Sequence, residues 1–279
     1  MSQVNPKQLD SFEKSYWYHY SIFVLDKHGV KSKRTDELKE GDYVILPSKL
    51  PENNLINEIN LAKELANSSY KEILIIKNVP EEIYSTKKEE IYSYYHKHYK
   101  HPNQAYYEHK GKRILPLPLY YILSEMELKN CFIGTTSNHK VPTFLAINKE
   151  LVRFLGLYVA EGWLYDNNSH GVYFSLHKDE IELIEEIKRS AINCFNLKAY
   201  VEPPKENGVK VKVNGIILWL IMKEVFKVKE GAKLKRVPEL IFNIKKEFQT
   251  DFIKAWHEGD YSTTVSEELA NDISYLALF

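Results

Sequence analysis

The chain has 279 residues, enough for one large or two ordinary domains with a substantial hydrophobic core. Apolar residues make up 44% and charged residues 27%, the balance of a folded globular chain rather than a disordered one. Thirty-eight basic residues cancel thirty-eight acidic ones, which argues against nucleic acid wrapped over the whole surface and leaves only local basic faces.

No apolar run approaches the roughly 20 residues of a membrane helix; the nearest is Ile216–Met222. The opening Met1-Ser-Gln-Val-Asn-Pro6 lacks the basic-then-apolar pattern of a secretory signal. Cys131 and Cys194 are too few and too far apart for a zinc cluster or a disulfide framework. A cytoplasmic chain with no membrane partner is expected.

In chain order, Ser21-Ile-Phe-Val-Leu25 is a predicted strand, followed by a turn at Asp26-Lys-His-Gly29. The pair Gly41-Asp42 sets a second turn before the strand Tyr43–Leu46, which Pro47 stops. Residues 1–50 are thus a small β segment. Residues 51–140 mix helical periodicity at Leu61 and Leu65 with loops rich in Tyr, His and Lys, a linker-like region. From there the pattern sharpens. Asn148 is a candidate N-cap for an almost wholly apolar, and therefore buried, helix over 149–160. The runs 162–165 and 172–176 flank a polar turn and read as a hairpin. A helix over 180–195, a second hairpin from 198–201 and 209–213, and a helix over 216–225 complete an α-ββ-α-ββ-α order. An α+β fold is expected.

Residues 86–113 hold seven Lys/Arg against three Glu, interleaved with six Tyr and four His, a composition that suits a surface tracking phosphates. Lys97, Lys100, Lys110, Lys112 and Arg113 are the candidate DNA-binding residues there. Residues 227–254 carry a second excess, eight basic against four acidic, in which Lys233 and Arg236 are candidates. His96-Lys-His-Tyr-Lys-His101 has no clear metal-ligand geometry in its spacing.

The most informative feature is an internal repeat. Phe154-Leu-Gly-Leu-Tyr-Val-Ala-Glu-Gly162 can be laid on Phe252-Ile-Lys-Ala-Trp-His-Glu-Gly-Asp260 so that Gly156 and Ala160 match Ala255 and Gly259. An acid comes at once after each copy's small pair, Glu161 and Asp260. Small residues four apart form a helix face without bulk, along which two backbones can approach. Crossing there would bring the two carboxylates together, where they repel unless a cation binds. Hard ions such as Mg²⁺ take such oxygen ligands, and metals held this way suit phosphodiester displacement. A single copy would read as ordinary packing with a solvated cap residue; two copies in the same order read as a site.

At these residues the chain resembles the LAGLIDADG homing endonucleases, in the DOD form carried by inteins. Leu155-Gly-Leu-Tyr-Val-Ala-Glu-Gly162 resembles the first family motif. Lys235-Arg-Val-Pro-Glu-Leu-Ile241 and 252–260 resemble the lysine-proline block and the second motif, and Ser266–Leu276 is similar to the family's segment beyond that motif. Residues 20–50 resemble the end of a Hint-type splicing domain through Phe23-Val-Leu25 and Glu37-Leu-Lys-Glu-Gly-Asp42. The resemblance is most specific over 143–279. It implies three segments: 1–50, partial Hint-like; 51–140, linker or DNA-recognition-like; and 141–279, an αββαββα endonuclease-like domain. It also implies Mg²⁺-dependent hydrolysis of double-stranded DNA at a long target site. Glu161 and Asp260 would be the metal-binding catalytic acids, with Lys235 (or Lys233) assisting the water or leaving group.

The departures from the family bear on activity. Trp17 and Tyr20 stand where the family's Thr-x-x-His needs Thr and His, with His19 one position off, and the chain ends Leu278-Phe279 rather than His-Asn. Self-splicing is not expected. In the first repeat Ser175 lies fourteen positions after Glu161; in the second, Ser262 lies two positions after Asp260, so the first strand and turn of that hairpin are missing. The second repeat is read as truncated, leaving a partly or fully decayed endonuclease, monomeric or self-associating. The alternative is a non-catalytic DNA-binding module or an inactive remnant on the same scaffold.

Overall fold

The computed structural model describes residues 21–34, 37–45, 55–167, 169–260 and 264–277. Trp17, His19, Tyr20 and Ser262 lie outside the described residues.

The fold is mixed α and β. Strands β1 (Ser21–Asp26), β2 (Gly29–Arg34) and β3 (Tyr43–Val44) form a small antiparallel sheet in the order β2-β1-β3. Gly29 takes φ +110° at the β1–β2 turn and Gly41 φ +96° before β3, a backbone region that favours glycine.

The region from 55 to 146 is folded into strands and helices, where helical periodicity mixed with loops was expected. Strands β4 (Glu58–Asn60), β5 (Ile75–Lys77), β6 (Ile114–Pro116), β7 (Phe132–Gly134), β8 (Lys140–Pro142) and β9 (Phe144–Ala146) build two antiparallel sheets, β4-β9 and β6-β5-β7-β8. Short helices α1 (Leu61–Leu65) and α2 (Ile83–Thr86) and a helical hairpin of α3 (Lys88–His98) and α4 (Pro102–Lys112) pack with them, and α5 (Glu125–Lys129) starts at a Ser124–Glu127 capping box. The hairpin escapes hydropathy reading because two of its buried residues, Tyr95 and Tyr106, are tyrosines, which pack beside Tyr84 of α2. Tyr84, Tyr95 and Tyr106 are buried. The Tyr95 hydroxyl meets His109 Nδ1 at 2.8 Å, and Tyr106 donates to the Tyr84 carbonyl. Each phenol presents an apolar ring inward and still finds a partner for its oxygen.

The expected α-ββ-α-ββ-α order is present from residue 149. Helix α6 (Lys149–Glu161) runs straight into β10 (Gly162–Tyr165), which pairs with β11 (Gly171–His177). Helix α7 (Ile181–Phe195) leads to β12 (Ala199–Val201) and β13 (Gly208–Asn214), and the sheet order is β10-β11-β13-β12. Alternation is clear in β13, while in β11 Tyr173 is buried between Val172 and Phe174 as well. Val172, Phe174 and Leu176 face the core with Val209, Val211 and Val213. The helix expected over 216–225 is α-helical only as α8 (Ile216–Leu220) and continues as a π-helical turn, Ile221–Val225, closed by a Phe226 N–H to Ile221 carbonyl bond of 3.0 Å. Helix α9 (Lys246–Asp260) and helix α10 (Glu267–Ala277) finish the described chain, with no strand between them among the described residues.

Candidate active site at a helix crossing

Helix α6 begins where the Asn148 side chain accepts the Leu151 N–H at 2.9 Å. It is buried nearly all round, as its composition requires, and one side of it meets α9. A Cβ built on Gly156 would stand 2.5 Å from the Phe252 carbonyl oxygen and 2.9 Å from Ala255 Cβ. One built on Gly259 would stand 2.6 Å from Ala160 Cβ and 3.5 Å from Glu161 Cγ. Gly156 therefore meets Ala255, and Ala160 meets Gly259. The two helices lie with their C-terminal ends together.

Glu161 is the last residue of α6 and is half-buried. Asp260 is the last residue of α9, one peptide link (about 3.8 Å between Cα atoms) beyond Gly259. The Asp260 side chain lies outside the described part of the structure. Lys235, on the extended segment after the short turn Ala232–Leu234, extends its Nζ to the Ala160 carbonyl oxygen at 2.8 Å. That carbonyl is among the last four of α6, which have no intrahelical donor, and an ammonium there is favoured by the negative helix end. Lys235 is thus brought beside Glu161. Lys233 is exposed on the preceding turn.

The crossing carries a charged lock. Arg153 of α6 makes a two-pronged contact with Glu186 of α7, one prong 2.7 Å long, and also pairs with Glu258 of α9. The Glu186 carboxylate, ahead of Glu258, holds the guanidinium pKa above its usual value against the cost of burial. Arg153 and Glu186 side chains are only 12% exposed each. The repeat pattern gave no warning of this residue.

The other DNA-binding candidates sit elsewhere. Lys97 and Lys100 are exposed at the end of α3 and just after it, and Lys110 is half-buried on α4. Lys112 pairs with Glu108 at 2.6 Å, and Arg113 closes α4 at φ +53° with its Nε on the Val79 carbonyl at 2.9 Å. Arg236 faces α10, where Asp272 takes its guanidinium. His96 lies beside Tyr92 and His98 stacks on Tyr94. Among the described residues no group of three His, Cys, Asp or Glu side chains is placed to hold a metal ion.

The outer face of the β10–β13 sheet was not singled out from the sequence. It presents Trp163, Tyr165, Ser175, His177, Lys210 and Lys212, with Tyr173 on the same face but buried. Tyr165 stacks on Tyr173 at 4.6 Å, Lys212 lies 4.9 Å above the Tyr173 ring, and Lys210 lies 5.9 Å from the Trp163 ring. Glu202, by its hydrogen bond, raises the Lys212 pKa. The period of two was available in the sequence and could have found this face.

The chain has relatives among archaeal DNA polymerases and uncharacterized proteins. It is 28% identical over 281 aligned residues to the DNA polymerase II large subunit of Thermococcus kodakarensis, a match covering 93% of this chain and 14% of that one. It is 27% identical to an uncharacterized protein of Methanocaldococcus jannaschii, over 86% of this chain and 27% of that protein. A DNA polymerase of Methanocaldococcus jannaschii is 29% identical over 55% of this chain and 9% of its own length. The chain therefore spans only a small part of these relatives. No family model matches it.

Proposed function

We propose that the chain is a LAGLIDADG-type DNA endonuclease unit of intein origin. Residues 1–50 are the remnant of a Hint-like splicing segment, 51–140 an accessory region with DNA contacts, and 141–279 the endonuclease with a truncated second repeat. The observation that carries this reading is the crossing itself. Gly156 on Ala255 and Ala160 on Gly259 bring the ends of α6 and α9 together, and the amine of Lys235 stands at the same point.

The donor chemistry fits Mg²⁺. Glu161 and Asp260 are both hard-oxygen residue types, and each is the last residue of its helix, where a cation is favoured. Glu161 and Asp260 would hold the ion, which when bound neutralises charge on a phosphodiester. Lys235 places a positive charge beside the same phosphate and stabilises the developing negative charge. The outer sheet face of β10–β13 offers lysines for the phosphates and aromatic edges for the groove.

The relatives support insertion. A polymerase II large subunit of Thermococcus kodakarensis matches 93% of this chain over 14% of its own length, and a separately named DNA polymerase of the same organism matches 56% of it over 10%. A unit that matches nearly all of this chain and a minor part of larger chains has the proportions of an inserted element.

Among the described residues no strand lies between α9 and α10, so the hairpin that follows α6 in the first repeat has no counterpart there. Nicking, with weak double-strand cleavage by the monomer, is the expected residue of activity. That same observation favours the second reading, a non-catalytic DNA binder. A nicking and cleavage assay on a randomised target library with Mg²⁺ or Mn²⁺ separates the two. Strand breaks lost in Glu161→Gln and Asp260→Asn support the nuclease; sequence-selective binding without breaks supports the binder. Absence of both would overturn the assignment to DNA.

A further inference from the structure

We infer that Ser266 and Asp272, at the start and in the middle of α10, are positioning residues for the Lys235 amine; this rests on the endonuclease reading. Three consecutive residues are tied to α10 at three different groups. The Ser266 hydroxyl donates to the Lys235 carbonyl at 2.7 Å, and the same oxygen accepts the Leu269 N–H at 3.2 Å, capping the helix. The Asp272 carboxylate accepts the Arg236 guanidinium at 3.1 and 3.2 Å and the Val237 N–H at 3.2 Å. Ser266 is 1% exposed and the Asp272 side chain 12%.

A lysine has four rotatable bonds, so its amine is located only as well as its backbone is. The segment around Lys235 runs between two short turns, Ala232–Leu234 and Glu239–Asn243, with no ladder partner among the strands described. Its fixed course therefore depends on α10. Arg236 serves as the handle by which the segment is held, which raises its guanidinium pKa through Asp272 first. This gives α10 a task that does not require the sheet. In the first repeat α7 packs against β12 and β13, whereas α10 comes after α9 with no strand described between them, yet it holds the backbone of the lysine at the crossing. Supporting groups of this kind fix a reacting geometry that a flexible side chain cannot fix alone.

The test uses the full chain with ¹³C-labelled lysine, the Lys235 Cε signal being assigned by its loss in Lys235→Arg. Ser266→Ala and Asp272→Asn should each shift that signal and lower the single-turnover nicking rate by about 10-fold or more, with DNA affinity within roughly twofold of wild type. Ser266→Thr, which keeps the hydroxyl, should restore most of the rate and the signal. Wild-type rate and signal in both variants would overturn the proposal. So would a rate that falls only with the folded fraction while the signal of folded molecules stays put. If the wild-type chain cuts no DNA, the nuclease reading fails by that result, and the lysine signal alone decides whether Ser266 and Asp272 hold the amine.

Discussion

Gly259 and Ala160 touch so closely that a Cβ on the glycine would stand 2.6 Å from the alanine Cβ. The two halves of the internal repeat thus meet at the residues immediately ahead of their acids. Neither residue could be larger without parting the ends of α6 and α9.

Glycine substitutions should therefore separate into two classes. Gly156→Ala places a methyl group 2.5 Å from the Phe252 backbone oxygen, an overpacking that costs about 1–3 kcal/mol. Gly111→Ala, on α4 with nothing within 4 Å of the new methyl, should be neutral or stabilising by up to about 1 kcal/mol. Urea denaturation of the two variants measures the contrast; equal midpoints would count against a close crossing.

Removing Arg153 strands Glu186, which is largely shielded from water, so Arg153→Ala should cost on the order of 3 kcal/mol. Glu258→Gln should cost about 1 kcal/mol or less, because the Glu258 carboxylate is 44% exposed and screened by solvent. Chemical unfolding of each variant checks the order of the two effects.

Burial holds the His109 imidazole below its usual value of 6.5, with its Nδ1 against the Tyr95 hydroxyl and Tyr99 at its edge. Glu108 acts in the opposite direction and Lys112 in the same one. The unfolded chain takes up a proton near pH 6.5 that the folded chain resists, so this contribution to stability is full above that pH and declines as pH falls below it. The difference in urea midpoint between wild type and His109→Gln should shrink between about pH 7.5 and pH 5. At the alkaline end, burial raises the Tyr84 and Tyr95 phenols above their usual 10, so stability should fall as pH rises past that value.

DNA affinity should fall steeply with salt through the outer sheet face. Lys210→Ala should reduce the salt slope by about 1 for a lost phosphate contact, and Lys212→Ala should do likewise. Replacing Lys97, Lys100, Lys110, Lys112 and Arg113 together should flatten the slope further if the accessory region also tracks phosphates. Fluorescence anisotropy across a salt series reads both. A wild-type slope in every variant would move the DNA face elsewhere.

Much of the unit from residue 149 onward was legible because its signals are local. Asn148 caps a helix whose composition demands burial, and the valines of β13 alternate with its lysines, so elements and facing are set by short-range periodicity. The tyrosine hairpin α3–α4 was not legible in the same way. Beside Ile91 and Ala105 its buried face carries Tyr95 and Tyr106, which count as polar until their hydroxyls find partners, His109 and the Tyr84 carbonyl.

By itself the sequence determined that two helices carry matched small faces with an acid directly after each, because spacing along a helix fixes which residues share a face. Only the tertiary structure decided that these faces meet each other, that Arg153 spans α6, α7 and α9, and that Lys235 reaches the Ala160 carbonyl while α10 holds its backbone. Those relations join residues from 31 to 105 positions apart, and no local pattern encodes a contact between segments that distant. Long-range packing chose the partners, and with them the place where the chemistry is proposed.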